Sequence, residues 1–124
     1  MKAKKDFRAK VKKYLSGLND KERSLKNALL TQKLMELELC AKAQHIHCFA
    51  SFGDEWDTFP FMREMLAQGK QVYCPRVIGP GLMEHYPVSD EFEFDFSSMG
   101  IPEPRVTDAP ADPKIFDLII IPGV

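Results

Sequence analysis

The run Phe116-Asp117-Leu118-Ile119-Ile120-Ile121 constrains the fold more than any other feature of the chain. It is β-branched and does not alternate polar with apolar, the pattern of a parallel strand in the centre of a sheet, buried on both faces. His45-Ile46-His47-Cys48-Phe49-Ala50-Ser51-Phe52 is a second, largely apolar run of strand length. Helical patterns separate the strand candidates. Strands buried on both faces need helices on both faces, so the expectation is an α/β domain with a mostly parallel sheet. With 124 residues, 44% of them apolar and 28% charged, the chain is sized for one globular domain and is not a disordered or fibrous one. No stretch reaches the ~18 apolar residues of a membrane span. The basic N-terminus lacks the apolar core of a secretory signal.

The spacing predicts a helix over residues 3–15, where Phe7, Val11, Tyr14 and Leu15 form one stripe and Ser16-Gly17 ends it. Asn19 and Glu22 have capping-box spacing. Leu25, Ala28, Leu29, Gln32 and Met35 follow at helical period, so this second helix is expected to run to about Leu39. Asp57 or Thr58 can cap a third, with Pro60 in its first turn, Phe61, Met62, Met65 and Leu66 on its buried side, and Gly69 just past its end. Gln71–Cys74 reads as a strand stopped by Pro75, Gly79-Pro80-Gly81 as a turn, and Leu82–Val88 as a further strand. Residues 89–114 carry prolines and acids with little period, the signature of loop with short extended pieces.

In parallel sheets ligands sit at the carboxyl ends of strands, here Ser51–Glu55, Pro75–Arg76 and Pro122–Val124. The third end is odd. The chain stops three residues after its most strand-like run, so 124 residues read as an incomplete domain, with apolar area expected to stand exposed near Ile119–Ile121.

Charge is uneven: residues 1–13 carry +6 and the rest of the chain −7. Lys4 and Arg8 stack on one helix face with Lys5 beside them, which suits either a polyphosphate or a solvated basic face. Without interleaved exposed aromatics the helix does not read as a nucleic-acid contact. Asp54-Glu55 can accept hydrogen bonds from ring N–H or amide groups of a ligand, or stand solvated. Arg76 suits an anion, or is a surface arginine. His45 and His47 project from one strand face and His85 lies elsewhere, with no third metal ligand evident near the pair. Cys40, Cys48 and Cys74 are odd in number and widely spaced, which favours reduced, buried thiols in a cytoplasmic protein. No P-loop, GxGxxG or GxSxG is present, and no nucleophile has an assignable base, so no catalytic residue is named.

Five pieces in order carry a resemblance. They are Lys4-Lys5-Asp6-Phe7-Arg8, Phe49-Ala50-Ser51-Phe52-Gly53-Asp54-Glu55-Trp56-Asp57-Thr58, Gly69-Lys70-Gln71-Val72-Tyr73-Cys74-Pro75-Arg76, Gly100-Ile101-Pro102-Glu103-Pro104 and Asp117-Leu118-Ile119-Ile120-Ile121-Pro122-Gly123-Val124. Together they resemble the 5-formyltetrahydrofolate cyclo-ligases, also called methenyltetrahydrofolate synthetases. The resemblance implies a three-layer α/β/α domain. It also implies an ATP- and Mg²⁺-dependent conversion of 5-formyltetrahydrofolate to 5,10-methenyltetrahydrofolate that releases ADP and phosphate. Residue by residue, it implies ATP contacts at Lys4, Lys5 and Arg8 and folate contacts at Ala50, Glu55, Arg76 and Met83, with Glu84 beside Met83 in the same segment. It further implies a cytoplasmic monomer whose partners are folate and ATP, not nucleic acid or membrane. After Pro-Gly-Val the family continues into a Gly-rich loop ending in Tyr-Tyr-Asp, with a Mg²⁺-binding aspartate there or beyond. The chain therefore reads as one cyclo-ligase-like domain over 1–124, about the N-terminal two-thirds of the family's usual length, with no metal ligand of its own. A folate- or partner-binding remnant without turnover is the alternative.

Overall fold

The computed structural model describes residues 2–106 and 109–122. The elements are α1 (Lys2–Ser16), α2 (Asp20–Met35), α3 (Glu38–Lys42), β1 (His45–Cys48), α4 (Phe59–Ala67), β2 (Gln71–Gly79), β3 (Leu82–Pro87), β4 (Phe94–Phe96), β5 (Pro102–Pro104), a 3₁₀ turn (Pro113–Ile115) and β6 (Leu118–Ile120). The main sheet has the order β3-β2-β1-β6, and β4 and β5 form a separate hairpin. β1 pairs in parallel with both β2 and β6, and β2 pairs antiparallel with β3. The domain is thus an α/β fold with a mostly parallel sheet flanked by helices. Among the described residues, no helix is long and apolar enough to cross a membrane.

Register assigns the two faces, because paired residues share a side. Ile46, Cys48, Val72 and Cys74 pack with Phe61, Met62 and Met65 of α4 in the main core, against which Leu118 and Ile120 lie. The opposite face carries His47, Tyr73, His85 and Ile119, with the Phe116 ring over His47, Tyr73 and His85. β6 stands at the margin of the described sheet rather than its centre: β1 takes one side and no described strand takes the other. Ile119 and Ile121 are accordingly 56% and 74% exposed. The Asp117 carboxylate locks β6 to β1 by accepting from the Gln44 and His45 N–H groups. Burial works against its charge, but these amides win and hold it below the usual carboxylate range.

α1 and the capping box of α2, Asn19 with Glu22, form where the spacing places them. α2, however, stops at Met35 instead of running to Leu39. On one continuous helix Cys40 would project about 180° from Thr31. The extended Leu37 between α2 and α3 lets both face the body, and Cys40 becomes 1% exposed. The face of α2 that meets the protein is also not the one its apolar period suggests. Arg23, Asn27 and Thr31 are half-buried, whereas Leu25 and Leu29 are exposed.

β2 does not stop at Pro75 but continues to Gly79. The Val88 N–H donates to the Val72 carbonyl (2.9 Å). By antiparallel alternation the pairs Tyr73/Pro87, Pro75/His85 and Val77/Met83 are then the non-hydrogen-bonded ones, whose N–H positions turn away from the partner strand. Both prolines therefore sit where the β2–β3 ladder needs no donor. Pro75 turns toward the β1 side, where pairing with β1 has already ended at Tyr73.

Candidate functional site

β1 ends at Cys48, four residues before its apolar run does. The cause is Thr58, which is fully buried. Its hydroxyl donates to the Phe49 carbonyl (2.8 Å) and accepts from the Ser51 N–H (3.1 Å), while the Thr58 N–H donates to the Ser51 hydroxyl (3.1 Å). This exchange pulls the chain out of the sheet and spends the Thr58 side chain there. Thr58 holds the N-cap position of α4 without a side-chain cap bond, and Asp57 accepts from the Phe59 N–H instead (3.1 Å).

With β1 gone, β2 and β3 run on past an open edge, and a cavity of about 830 Å³ lies there. That is within the ordinary range for small-molecule sites. Its walls are the loop after β1 (Phe49, Ala50, Phe52–Glu55), the β2–β3 ribbon (Pro75, Val77, Met83), the β5 strand with Ile101, Pro122 after β6, and Lys12, Lys13, Leu15 and Ser16 of α1. The lining is mostly apolar, with lysines supplied by α1 and carboxylates by the loop after β1 and by β5.

Of the residues expected to hold folate, Ala50, Glu55 and Met83 line this cavity together. Glu55 is held in place by its own loop: one carboxylate oxygen accepts from the Phe52 N–H (2.8 Å) across a turn through Gly53 at φ 65°. Its other oxygen has no protein donor among the described residues. Asp54, next to it, is committed to Arg23 by an ion pair at 3.3 Å. Both acids line the cavity, but Asp54 is tied to Arg23 whereas Glu55 keeps one oxygen without a protein donor among the described residues.

Arg76 is not brought to the cavity wall. Its guanidinium donates to the Asp95 carboxylate (3.1 Å) and to the Pro104 carbonyl (3.0 Å), tying the β4–β5 hairpin to β2. Glu84, opposite Arg76, accepts from the Tyr86 hydroxyl (2.9 Å). Lys4, Lys5 and Arg8 are exposed on α1 and do not line the cavity either. Lys4, Arg8 and Lys12 recur every four residues, so they form one row whose last member reaches the cavity rim. The described part of the third strand end, Pro122, does line the cavity, while Gly123 and Val124 lie outside the described residues.

Glu103 is a site residue that reasoning from the sequence missed. It lines the cavity and accepts from the Val77 N–H (2.9 Å), the amide that β1 would have taken had it continued. Its only signal was its place in the Gly100–Pro104 piece. Lys12 and Lys13 were visible only as part of the net charge of the N-terminal helix.

His47 and His85 form a pair, while His45 bonds to the Tyr73 hydroxyl. The His47 Nε2 and His85 Nδ1 atoms are 3.0 Å apart, and among the described residues no three His, Cys, Asp or Glu side chains converge. Burial first, and the neighbouring His85 second, push His47 down to about pKa 4. Cys40, Cys48 and Cys74 are buried free thiols. Burial pushes Cys48 up to about 12 and Cys74 well above its ordinary value, so neither is a nucleophile at neutral pH.

Comparison with known proteins fits this geometry. A solved structure, the 5,10-methenyltetrahydrofolate synthetase of Aquifex aeolicus, superposes with a TM-score of 0.78 at 25% identity, covering 94% of this chain and 58% of that one. A 5-formyltetrahydrofolate cyclo-ligase of Mus musculus is 34% identical over 74 residues, 60% of this chain and 36% of the relative. The chain thus spans under two-thirds of the length of either relative. The sequence profile of the 5-formyltetrahydrofolate cyclo-ligases matches residues 1–124 from end to end, and the chain belongs to that family.

Proposed function

We propose that the protein takes part in the ATP-dependent conversion of 5-formyltetrahydrofolate to 5,10-methenyltetrahydrofolate, with release of ADP and phosphate, as a cytoplasmic monomer. The observation that carries the reading is Glu55. In a chain of this family, one carboxylate is pinned by a main-chain amide at the wall of an apolar cavity just beyond β1. Such a carboxylate suits the N–H donors of a pterin ring, and the apolar walls around Ala50 and Met83 suit its flat faces.

The reaction phosphorylates the formyl oxygen, after which the folate N10 closes on the activated carbon and phosphate leaves. A transfer of this kind is governed by positioning and charge neutralisation, not by a protein nucleophile. The chain's own contribution is to hold the pterin at Glu55 and to offer cations from α1. Lys4, Lys5 and Arg8 fit the nucleotide, because none has an ion-pair or hydrogen-bond partner among the described residues. Mg²⁺ finds no such fit. No cluster of three or more ligating side chains exists among the described residues, so no step is assigned to a protein-held metal.

The test is the absorbance assay for methenyltetrahydrofolate with 5-formyltetrahydrofolate and Mg-ATP, run beside a calorimetric folate titration. ATP-dependent product supports the enzyme. Folate binding without ATP consumption supports instead a binding domain of the same fold. Absence of both refutes the folate reading. Within the enzyme, Arg8→Ala is expected to weaken ATP more than folate, and Glu55→Gln the reverse.

A further inference from the structure

The geometry points to Arg23 as the positioning residue that sets the cavity's width, by clasping the end of α1 to the loop that presents Glu55. The functional consequence rests on the folate reading above; the clasp itself rests on the contacts. α1 has no buried residue, so no core contact fixes where its Lys12–Ser16 wall stands. Arg23 supplies that fix. Its guanidinium donates to the Leu15 carbonyl at the end of α1, donates to the Asp54 carbonyl (3.2 Å), and pairs with the Asp54 carboxylate (3.3 Å).

The capping box places it. Asn19 and Glu22 start α2, and the Arg23 N–H makes the first-turn bond to the Asn19 carbonyl (2.9 Å). Its side chain then leaves the helix on the same face as Asn27 and Thr31. Those two continue the same contact at four-residue steps. The Asn27 side chain accepts from the Asp57 N–H (3.4 Å), and the Thr31 hydroxyl accepts from the Trp56 indole (3.1 Å). α2 thus grips the 54–57 segment along one polar stripe. Only Arg23 within it also holds α1.

The chemistry needs arginine. A planar fork with five donors bridges acceptors on two elements at once, whereas a lysine is a point donor on a flexible stem. Glu55 follows Asp54 directly and closes its own turn on Phe52, so movement of Asp54 displaces the carboxylate meant for the ligand.

The test compares Arg23→Ala, Arg23→Lys and Asp54→Asn with the parent protein. One readout is a calorimetric titration with 5-formyltetrahydrofolate. The other is amide hydrogen exchange, which needs no ligand, followed at residues 10–16 and at Ile46 and Val72 in the core. The expected result is that Arg23→Ala weakens folate by on the order of 10-fold or more, as sub-ångström misplacement of a binding group does. Arg23→Lys should fail to rescue it. Asp54→Asn, which keeps both carbonyl contacts, should cost about 3-fold or less. Exchange over 10–16 should rise in both Arg23 variants while the core stays protected. Parental affinity in Arg23→Ala or Arg23→Lys overturns the proposal, as does loss of affinity with 10–16 still protected. Loss of core protection in Arg23→Ala would make Arg23 an ordinary stabilising residue and overturn it too. A parent protein that does not bind 5-formyltetrahydrofolate refutes the folate reading, and the exchange comparison then judges the clasp alone.

Discussion

The His47–His85 pair makes the fold sensitive to acid in a window that can be worked out beforehand. His47 is 8% exposed, its Nδ1 is buried without a partner, and the Phe116 ring lies 5.0 Å from its own. A bare Nδ1 costs less there than an unpaired N–H, so the neutral tautomer places the proton on Nε2 and donates it to His85 Nδ1. A second proton has nowhere favourable to go. The groups facing it are His85 from β3, Tyr73 from β2, bonded to His45 at 3.2 Å, and the apolar Phe116, and the Asp117 carboxylate before β6 is already taken by two main-chain amides. His47 therefore falls to about 4 when folded, against an ordinary value of 6.5. The sign follows from proton counts. Above 6.5 both states are neutral and stability does not change. Between 6.5 and about 4 the unfolded chain binds a proton that the folded one refuses, so stability falls as pH falls. Below about 4 the loss saturates for this group. At 1.36 kcal/mol per unit, a fall to pH 4.5 gives about 2.7 kcal/mol as an upper bound. Partial solvation of the pair reduces this to about 2 kcal/mol. Urea unfolding at pH 7 and pH 4.5, for the protein and for His47→Gln, reads the difference. Whatever the variant costs at pH 7, its acid loss should be smaller than the parent's by about 2 kcal/mol. Equal acid losses in the two proteins would refute the reasoning.

Three further outcomes follow from the same geometry. Phe61→Ala removes a fully buried ring from beneath Trp56 and should cost about 3–5 kcal/mol, seen as a shifted urea midpoint followed by tryptophan fluorescence. Asn19→Ala removes the side-chain acceptor of the Glu22 N–H, one of the two capping-box bonds, and should cost about 1 kcal/mol, while Asn19→Asp should cost less, measured by the same unfolding curves. Cys48 and Cys74, buried and raised in pKa, should react with a thiol-specific chromophore only at the rate of opening, and Cys40 with its raised pKa should be slow as well. Prompt labelling of all three in native buffer would contradict the burial.

Local chemistry was readable in the sequence, and relations between distant segments were not. The capping box at Asn19, the turn at Gly79–Gly81 and the α4 core face of Phe61, Met62 and Met65 are each decided within a few residues, and each forms as its spacing indicates. The end of α2 is decided by Cys40 reaching a core formed by α4, β1 and β2, which no window around Leu37 contains. The packing face of α2 misled for the same reason. Its partner is a loop that offers polar groups, so Arg23, Asn27 and Thr31 turn inward and Leu25, Leu29 and Leu30 are left outside. Of the cavity wall, Ala50 and Glu55 stood in a motif that carried the resemblance and Met83 in a segment outside those motifs, and all three line the cavity. Arg76 stood in a matching motif too, but its guanidinium is claimed by Asp95 and Pro104, a pairing across 19 and 28 residues of sequence.

The prolines show how one mistaken boundary leads to the site. Pro75 looked like the end of a strand because it lacks an N–H, yet β2 passes through it at a position where the β3 ladder asks for none. Two residues on, Val77 does carry an N–H aimed the same way, toward the space β1 has left. That amide must find an acceptor or water, and Glu103 supplies one at 2.9 Å from a strand of the other hairpin. The open edge that makes the cavity therefore also leaves a main-chain donor that a carboxylate in its wall satisfies. Glu103→Ala should cost about 1 kcal/mol, below the roughly 1.5–3 kcal/mol of a hydrogen bond to a charged group, because Val77 is 59% exposed and water can replace the bond. Glu103→Gln retains a carbonyl acceptor at the same reach and should cost under about half of that. Urea unfolding of the two variants measures both. If glutamine and alanine cost the same, the Val77 bond contributes nothing, and Glu103 is then in the wall for its charge and not to satisfy the strand edge.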